Sequence, residues 1–335
     1  MKRLKTIIFI TLIIPAIIIS QSGCGSEEPV SKTSYYLDTI CQIDIYSMDE
    51  EAANDAIQGA FKLCSEYEKL LSKTMEGSDI WNINHAEGKA VKVDDKTIEV
   101  IEKGIYYGDL SKGRFDITIG KVTDLWDFHA EEPKVPDAED ISDALSHVNY
   151  KAIAIDGNKV KLNDPDAQID LGGIAKGYIC DKVSEYLASQ GVESGVVSLG
   201  GNIAAIGLKN GKDKWKIGIE RPYSDRTEIV GLVEAEDMTV VTSGVYERCF
   251  EQDGKVYHHI LDIDNGYPVE NEVESVSIIS ALGKSVDCDG LSTICLALGV
   301  EEGKALIESI DGIEAVFIDS EDNITCTEGA GFIEN

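Results

Sequence analysis

The sequence predicts an α+β fold, a largely antiparallel β-sheet core flanked by helices, in one compact unit. Three observations carry this. Short runs alternate apolar and polar residues, most densely between residues 195 and 282; longer stretches repeat apolar residues at helical spacing; and the two kinds follow each other in no regular β-α order. The 335 residues are enough for a full core without disulfide staples.

The chain opens with an address. Lys2, Arg3 and Lys5 precede an apolar stretch from Ile7 to Ile19, followed by Gln21-Ser22-Gly23-Cys24. The stretch is short for a membrane span, which needs about 20 residues. It reads as a lipoprotein signal peptide over residues 1–23, with Cys24 as the lipidated first residue of the mature chain. Residues 24–33 then form a solvated tether and residues 34–335 the folded domain. A plain secretory signal or an uncleaved anchor fits the same leader, because Gln21 stands where such sites usually carry an aliphatic residue.

Each later element has its own justification. From Thr39 to Tyr46, Cys41, Ile43 and Ile45 alternate with Gln42 and Asp44, as a half-buried strand requires. Ser47 and Glu50 have capping-box spacing, and Ile57, Phe61, Cys64, Tyr67 and Leu71 follow at helical intervals, which predicts a long amphipathic helix to about Leu71. Helical patterns return over Asp95–Leu110, Ile174–Gln190, Asp289–Leu298 and Glu302–Ile310. Between them, Trp215, Ile217 and Ile219 alternate with Lys216 and Gly218, and Met238 to Val241 is rich in β-formers. No repeat or linker follows residue 33.

Composition excludes nucleic-acid binding. There are 61 acidic and 30 basic side chains, a formal net charge of -31, and no basic run outside the first five residues. Loss of residues 1–23 removes three positive charges and no negative ones, leaving 27 minus 61, or -34. Besides Cys24 there are cysteines at 41, 64, 180, 249, 288, 295 and 326, without C-x-x-C spacing. They signal neither a zinc site nor a disulfide framework and read as buried small hydrophobes.

Candidate chemistry gathers in a few places. Asp170-Leu171-Gly172-Gly173-Ile174-Ala175-Lys176-Gly177-Tyr178 sets two glycines at a helix entrance and a lysine one turn in. Such glycines let backbone groups approach a phosphate, and the lysine supplies a point charge; a tight turn with a surface lysine fits equally. Gly200-Gly201-Asn202 follows the apolar run Val196–Leu199 and by itself marks only a strand end. In Asp289-Gly290-Leu291-Ser292-Thr293, positions 289 and 293 share a helix face. A carboxylate and a hydroxyl there are hard oxygen ligands suited to Mg²⁺ bound with substrate phosphates; an N-cap aspartate with a core-facing threonine is the alternative. Tyr257-His258-His259-Ile260-Leu261-Asp262 precedes the turn signal Asp264-Asn265-Gly266-Tyr267-Pro268. A histidine near an aspartate at a strand end can be a general base, or simply structural. No Gly-x-Ser-x-Gly elbow indicates a nucleophile in the chain.

In this order the pieces resemble one family, the FAD:protein FMN transferases, ApbE-like flavin-transferring lipoproteins. The matching runs are Leu71-Ser72 with Ser78-Asp79-Ile80 and Asn84; Gly113 through Gly120; Asp170 through Tyr178; Gly200-Gly201-Asn202; Thr242 through Arg248; His259 through Asp262 with Gly266 and Pro268; and Asp289 through Thr293. They span roughly residues 34–300. The resemblance implies cleavage of FAD at its pyrophosphate with Mg²⁺, release of AMP, and attachment of FMN through a phosphoester to a Thr or Ser hydroxyl of an acceptor flavoprotein. It implies Asp289, Thr293 and the Gly173 carbonyl as Mg²⁺ ligands, with Ser292 where some relatives carry a metal-binding aspartate. FAD would be held by Asp170 and Lys176, the lysine near the phosphates, by Arg114, Phe115 and Asp116, and by the backbone at Leu261. Leu37 and Thr74 would touch the flavin or adenine, at positions where relatives often carry Met and an aromatic residue. His259 would take the proton of the acceptor hydroxyl, with Asp262 orienting that base or helping to close the metal site, and His258 on the opposite strand face.

The implied acceptor is another chain bearing a Ser/Thr-Gly-Ala-Thr/Ser-like segment, such as a membrane redox-complex subunit or a secreted flavin reductase. It would be met on the extracytoplasmic face of the bacterial cytoplasmic membrane, where Cys24 would anchor the protein. The nearest internal match, Thr327-Glu328-Gly329-Ala330-Gly331, lacks the terminal hydroxyl. Two other activities fit the same site: an Mg²⁺-dependent FAD pyrophosphatase giving FMN and AMP, and a flavin-binding lipoprotein without turnover. His259, Asp289 and Thr293 together argue against the last, since a carrier needs neither base nor metal beside the pyrophosphate.

Overall fold

A computed structural model describes residues 28–224 and 228–335. The expected signal peptide, Cys24 and the first residues of the expected tether lie outside the described residues. The main sheet has eight strands in the order Val30–Tyr36, Thr39–Ile45, Gly195–Leu199, Asn202–Ile206, Met238–Gly244, Val273–Ala281, Ile313–Asp319 and Ile324–Cys326, every neighbouring pair antiparallel. Its central strands are buried on both faces. Val241, Ile278 and Phe317 enter one core, whereas their neighbours Val240, Ile279, Val316 and Ile318 enter another, as the twofold side-chain alternation of a strand dictates.

Among the described residues there are seven α-helices: α1 (Glu50–Leu71), α2 (Asp79–Asn84), α3 (Asp95–Leu110), α4 (Gly120–Trp126), α5 (Ala138–Leu145), α6 (Ala175–Ser189) and α7 (Ser285–Glu308). The inner faces of α1, α6 and α7 fill the larger core with Ile57, Cys64, Ile179, Val183, Leu291 and Ile294. A three-stranded sheet of Phe332–Glu334, Ile229–Ala235 and Trp215–Glu220 covers the other face through Trp215, Ile217 and Val233. The hairpin Cys249–Gln252 and Lys255–His258 stands apart, with Phe250 and Tyr257 packed around Trp126 of α4. None of these helices is long and apolar enough to cross a membrane.

Three expectations change. Residues 30–33, assigned to the tether, form part of the edge strand, with Val30 opposite Ile45. The capping box at Ser47 does not form: Asp49 caps α1 by accepting from Ala52 N–H at 3.1 Å, and Ser47 Oγ instead accepts from Glu193 and Ser194 N–H. The two helical stretches expected over 289–310 both form within α7 and meet at Gly299, where a φ of 83° is open to glycine and strained for other residues. That element starts at Ser285, so Asp289 lies one turn inside it and is not its N-cap; Asp181 of α6 accepts from the Ser285 and Val286 N–H groups instead.

Candidate active site

The site is built where α6 crosses α7. A Cβ at Gly177 would overlap the Ser285 carbonyl oxygen and stand 2.7 Å from Asp289 Cβ, so the approach requires glycine. The Gly177 N–H donates to Asp289 Oδ2 at 2.8 Å. Asp289 is 2% exposed, in a helix segment apolar on nearly every side. Burial pushes its carboxyl up; Lys176, the Gly177 N–H and the Asn202 side chain pull against that. Lys176 Nζ lies 4.0 Å from Asp289 Oδ1 and 3.3 Å from the Gly172 carbonyl.

Gly173 adjoins both Phe115 and Thr293, since a Cβ there would come 2.9 Å from Phe115 Cε2 and 3.4 Å from Thr293 Oγ1. Among the described residues, the Thr293 hydroxyl makes only a long 3.5 Å bond to the Asp289 carbonyl. Ser292 is committed elsewhere: its Oγ lies 2.7 Å from Ser243 Oγ and donates to the Asp289 carbonyl at 2.8 Å. A buried carboxylate short of positive charge, a loosely held hydroxyl and a nearby main-chain carbonyl form a hard-oxygen set that suits Mg²⁺.

Asp170 stands at the other end of the glycine turn. Its Oδ1 accepts from Gly172 N–H at 2.8 Å, and its Oδ2 from Thr123 Oγ1 at 2.8 Å. Lys73, which the motif reading missed, places Nζ 3.0 Å from Asp170 Oδ2, 2.7 Å from Asp124 Oδ1 and 2.6 Å from Thr123 Oγ1. Burial opposes ionisation of Asp170, but Lys73 and the hydrogen bonds outweigh it and hold the carboxyl below its ordinary value. The same lysine draws in the loop that carries exposed Thr74, whose hydroxyl lies 3.2 Å from Ser72 Oγ. Leu37 sits at φ 55° beside Asp38, also at 55°, in the two-residue turn joining the first two strands, and its N–H donates to Glu68 Oε1 at 2.7 Å.

Arg114 Nη1 meets Asp262 Oδ1 at 3.3 Å and Asp264 Oδ2 at 2.8 Å. Asp262 thus bonds to Arg114 and to its own turn, through Asp264 N–H and Asn265 Nδ2, and not to His259. Asp116 works inward, taking the Thr118 N–H and hydroxyl at Oδ1 and the Tyr150 N–H at Oδ2. It shapes the loop that presents Arg114 and Phe115. Leu261 is buried and bridges to Pro268.

His259 Nδ1 lies 3.3 Å from the Arg248 carbonyl, and donation to that oxygen leaves Nε2 with its lone pair. Burial, then the charges of Arg248, His258 and Lys176, push its pKa down to about 3. A cavity of about 820 Å³ between α3, α6 and the start of α7, lined by Glu99, Tyr106, Asp181 and Lys284, touches none of the expected site residues. The structure therefore brings Gly173, Phe115, Asp289 and Thr293 together, with Lys176 and Asp170 at the two ends of the same turn.

The ApbE family model matches residues 37–317. A FAD:protein FMN transferase of Treponema pallidum is 31% identical over 95% of this chain and 92% of its own length; one of Klebsiella pneumoniae is 37% identical over 82% and 84%. Among solved structures, the ApbE protein of Thermotoga maritima superposes with a TM-score of 0.82 at 30% identity, covering 90% of this chain and 97% of that one. The flavin transferase ApbE of Vibrio cholerae superposes at 0.79 and 29%, covering 90% and 96%. With the family's model running from the Leu37 turn past the Thr293 helix, and with relatives of this identity along nearly its whole length, the chain belongs to the ApbE family.

Proposed function

We propose that the chain is a FAD:protein FMN transferase that works with Mg²⁺. The observation that carries the reading is the α6–α7 crossing, which sets a buried carboxylate, a loosely held hydroxyl and a lysine ammonium around one glycine turn. Asp289, Thr293 and the Gly173 carbonyl would hold Mg²⁺, which when bound neutralises charge on the pyrophosphate. Ser292, whose hydroxyl already has two partners, would shape the turn behind Asp289.

The protein's own groups supply the rest. Lys176 faces the pyrophosphate and offsets charge that grows on the leaving AMP. Asp170, held by Lys73, fixes the glycine turn, while Arg114 and Phe115, the backbone at Leu261, and the Leu37 and Thr74 turns position the FAD. Asp116 and Asp262 act through Arg114, the first by shaping its loop and the second by pairing with it. His259 is neutral at physiological pH and takes the proton of an acceptor Thr or Ser hydroxyl at Nε2. The hydroxyl oxygen bonds to the FMN phosphorus in line as the bridging P–O bond to AMP breaks.

The acceptor is a separate flavoprotein bearing a Ser/Thr-Gly-Ala-Thr/Ser-like segment. The leader supports an extracytoplasmic position with anchoring through Cys24. The test is intact-mass analysis of such an acceptor incubated with the full chain, FAD and Mg²⁺, beside His259→Ala and Asp289→Ala. One added FMN, absent with both variants, is the expected result. Metal-dependent release of FMN and AMP without an adduct would make the protein a pyrophosphatase, and unchanged FAD a binding protein.

A further inference from the structure

The first strand of the main sheet begins at Val30, six residues past Cys24. Six residues reach at most ~20 Å, so an anchor at Cys24 keeps this corner of the fold close to the membrane. The register shows what lies beside that corner. Val30 stands opposite Ile45, Ile45 opposite Gly195 and Gly195 opposite Ile206, so one row crosses four strands at the same end of the sheet. After Ile206 the chain leaves this row into a turn that carries Lys209, Lys212, Lys214 and Lys216. Other residues separate these lysines, but no other eight-residue stretch of the chain holds four basic side chains.

The turn is built and not slack. Lys209 N–H donates to the Asp213 carbonyl at 2.7 Å, Ser194 Oγ to the Leu208 carbonyl at 2.7 Å, and Trp215 Nε1 to the Gly207 carbonyl at 2.9 Å. Lys212, Lys214 and Lys216 are exposed, the last by alternation with buried Trp215 and Ile217; Lys209 is partly covered, its Nζ 5.9 Å from the centre of the Tyr46 ring. Four lysines and Asp213 give residues 209–216 a charge of +3 in a chain of -31. Acidic groups border only its base: Asp237, whose Oδ1 accepts from Gly207 N–H at 2.7 Å, Glu193 beside Gly207, and Glu234 opposite Lys216. The Leu37 turn, part of the proposed FAD site, closes the other end of the first strand pair, beyond Thr39, which is six residues or roughly 20 Å from Ile45.

We propose that the Lys209–Lys216 turn rests on anionic phospholipid headgroups and stands the anchored protein with its active-site end away from the bilayer. A tether alone leaves the domain free to tumble over the surface. Each lysine close to an anionic surface is worth ~5-fold in binding, and the same surface repels the acidic remainder, so attraction at one end and repulsion elsewhere select one orientation. Screening confines both effects to within ~8 Å of the headgroups at physiological salt; the groups nearest the anchor therefore dominate. This inference rests on the anchoring reading of Cys24 given above.

The full chain is extracted from membranes, checked by intact mass for lipid on Cys24, and reconstituted on vesicles of phosphatidylcholine alone or with about 30% phosphatidylglycerol. Brief acetylation read by peptide mass spectrometry gives a rate for each lysine. Lys212, Lys214 and Lys216 should react ~5-fold or more slowly on the phosphatidylglycerol vesicles, with the difference lost at about 1 M salt. Lys112, exposed two residues from Arg114 at the site end, should keep its rate. Equal rates of the three lysines on both vesicles overturn the proposal and leave them to an acidic protein partner; slowing of Lys112 by the same factor overturns the orientation. Absence of lipid on Cys24 refutes the anchoring reading by itself. If such a chain's three lysines are also unprotected on phosphatidylglycerol, the proposal falls with it; if they are slowed there, the lipid contact stands without the anchor.

Discussion

The backbone N–H of Gly177 and Oδ2 of Asp289 lie 2.8 Å apart across a helix crossing that admits no side chain at position 177. The neighbours a methyl group would meet are the Ser285 backbone and Asp289 Cβ, neither of which is a flexible tip. Gly177→Ala should therefore part the helices, cost ~1–3 kcal/mol in urea unfolding, and slow FMN transfer by ~100-fold through displacement of Asp289.

Lys73 ties the Thr74 loop to Asp170 and Asp124, with about a fifth of the Lys73 and Asp170 side chains exposed. Breaking a fully buried pair costs 3–5 kcal/mol, and this partial exposure trims the figure to ~2 kcal/mol for Lys73→Met. Steady-state kinetics should show KM for FAD rising more than kcat falls. The double variant with Asp170→Asn should lose less stability than the two single losses added together.

Burial holds His259 down at about 3 and His258 at about 4, both below the ordinary 6.5. The unfolded chain thus binds these protons more readily than the folded one, so their contribution is complete above about pH 6.5 and is lost as pH falls toward 3–4. The thermal midpoint should drop more steeply between pH 6.5 and 4 in wild type than in His259→Gln. By NMR, the His259 ring should not titrate between pH 5 and 8.

Thr74 is exposed, and in the FAD site proposed above it would offer the ligand only a small side chain. Thr74→Tyr should add ~0.5–1.5 kcal/mol of stacking. Flavin fluorescence quenching should report a Kd for FAD lower by about twofold to twelvefold.

What was legible in the sequence was local. The span Asp95–Leu110 is α3 residue for residue, with Asp94 as its cap, and the expected Ile174–Gln190 differs from α6 by one residue at each end. Strand order was not legible, because it joins segments as distant as Ile45 and Gly195. The short helices α4 and α5 escaped notice because each has only two or three buried positions. At the site, Asp170, Lys176, Asp289 and Thr293 stood out as parts of compact motifs. Lys73 did not, since it acquires its role only from partners about 50 to 100 residues away. Asp262 shows the same limit: its closeness to His259 in sequence says nothing of Arg114, which it meets in space.

The eight-stranded sheet lays the first two strands against one that begins at Gly195, and its helical face is completed only by α7. Loops of this length are slow to close, and each closure gains little until the next is made. On the ribosome, then, no early fragment can hold the site. A chain halted before residue 285 would lack Asp289, Thr293 and the helix that covers the sheet. It would be handled by the cell as unfolded protein, a substrate for proteases and not a weakened enzyme.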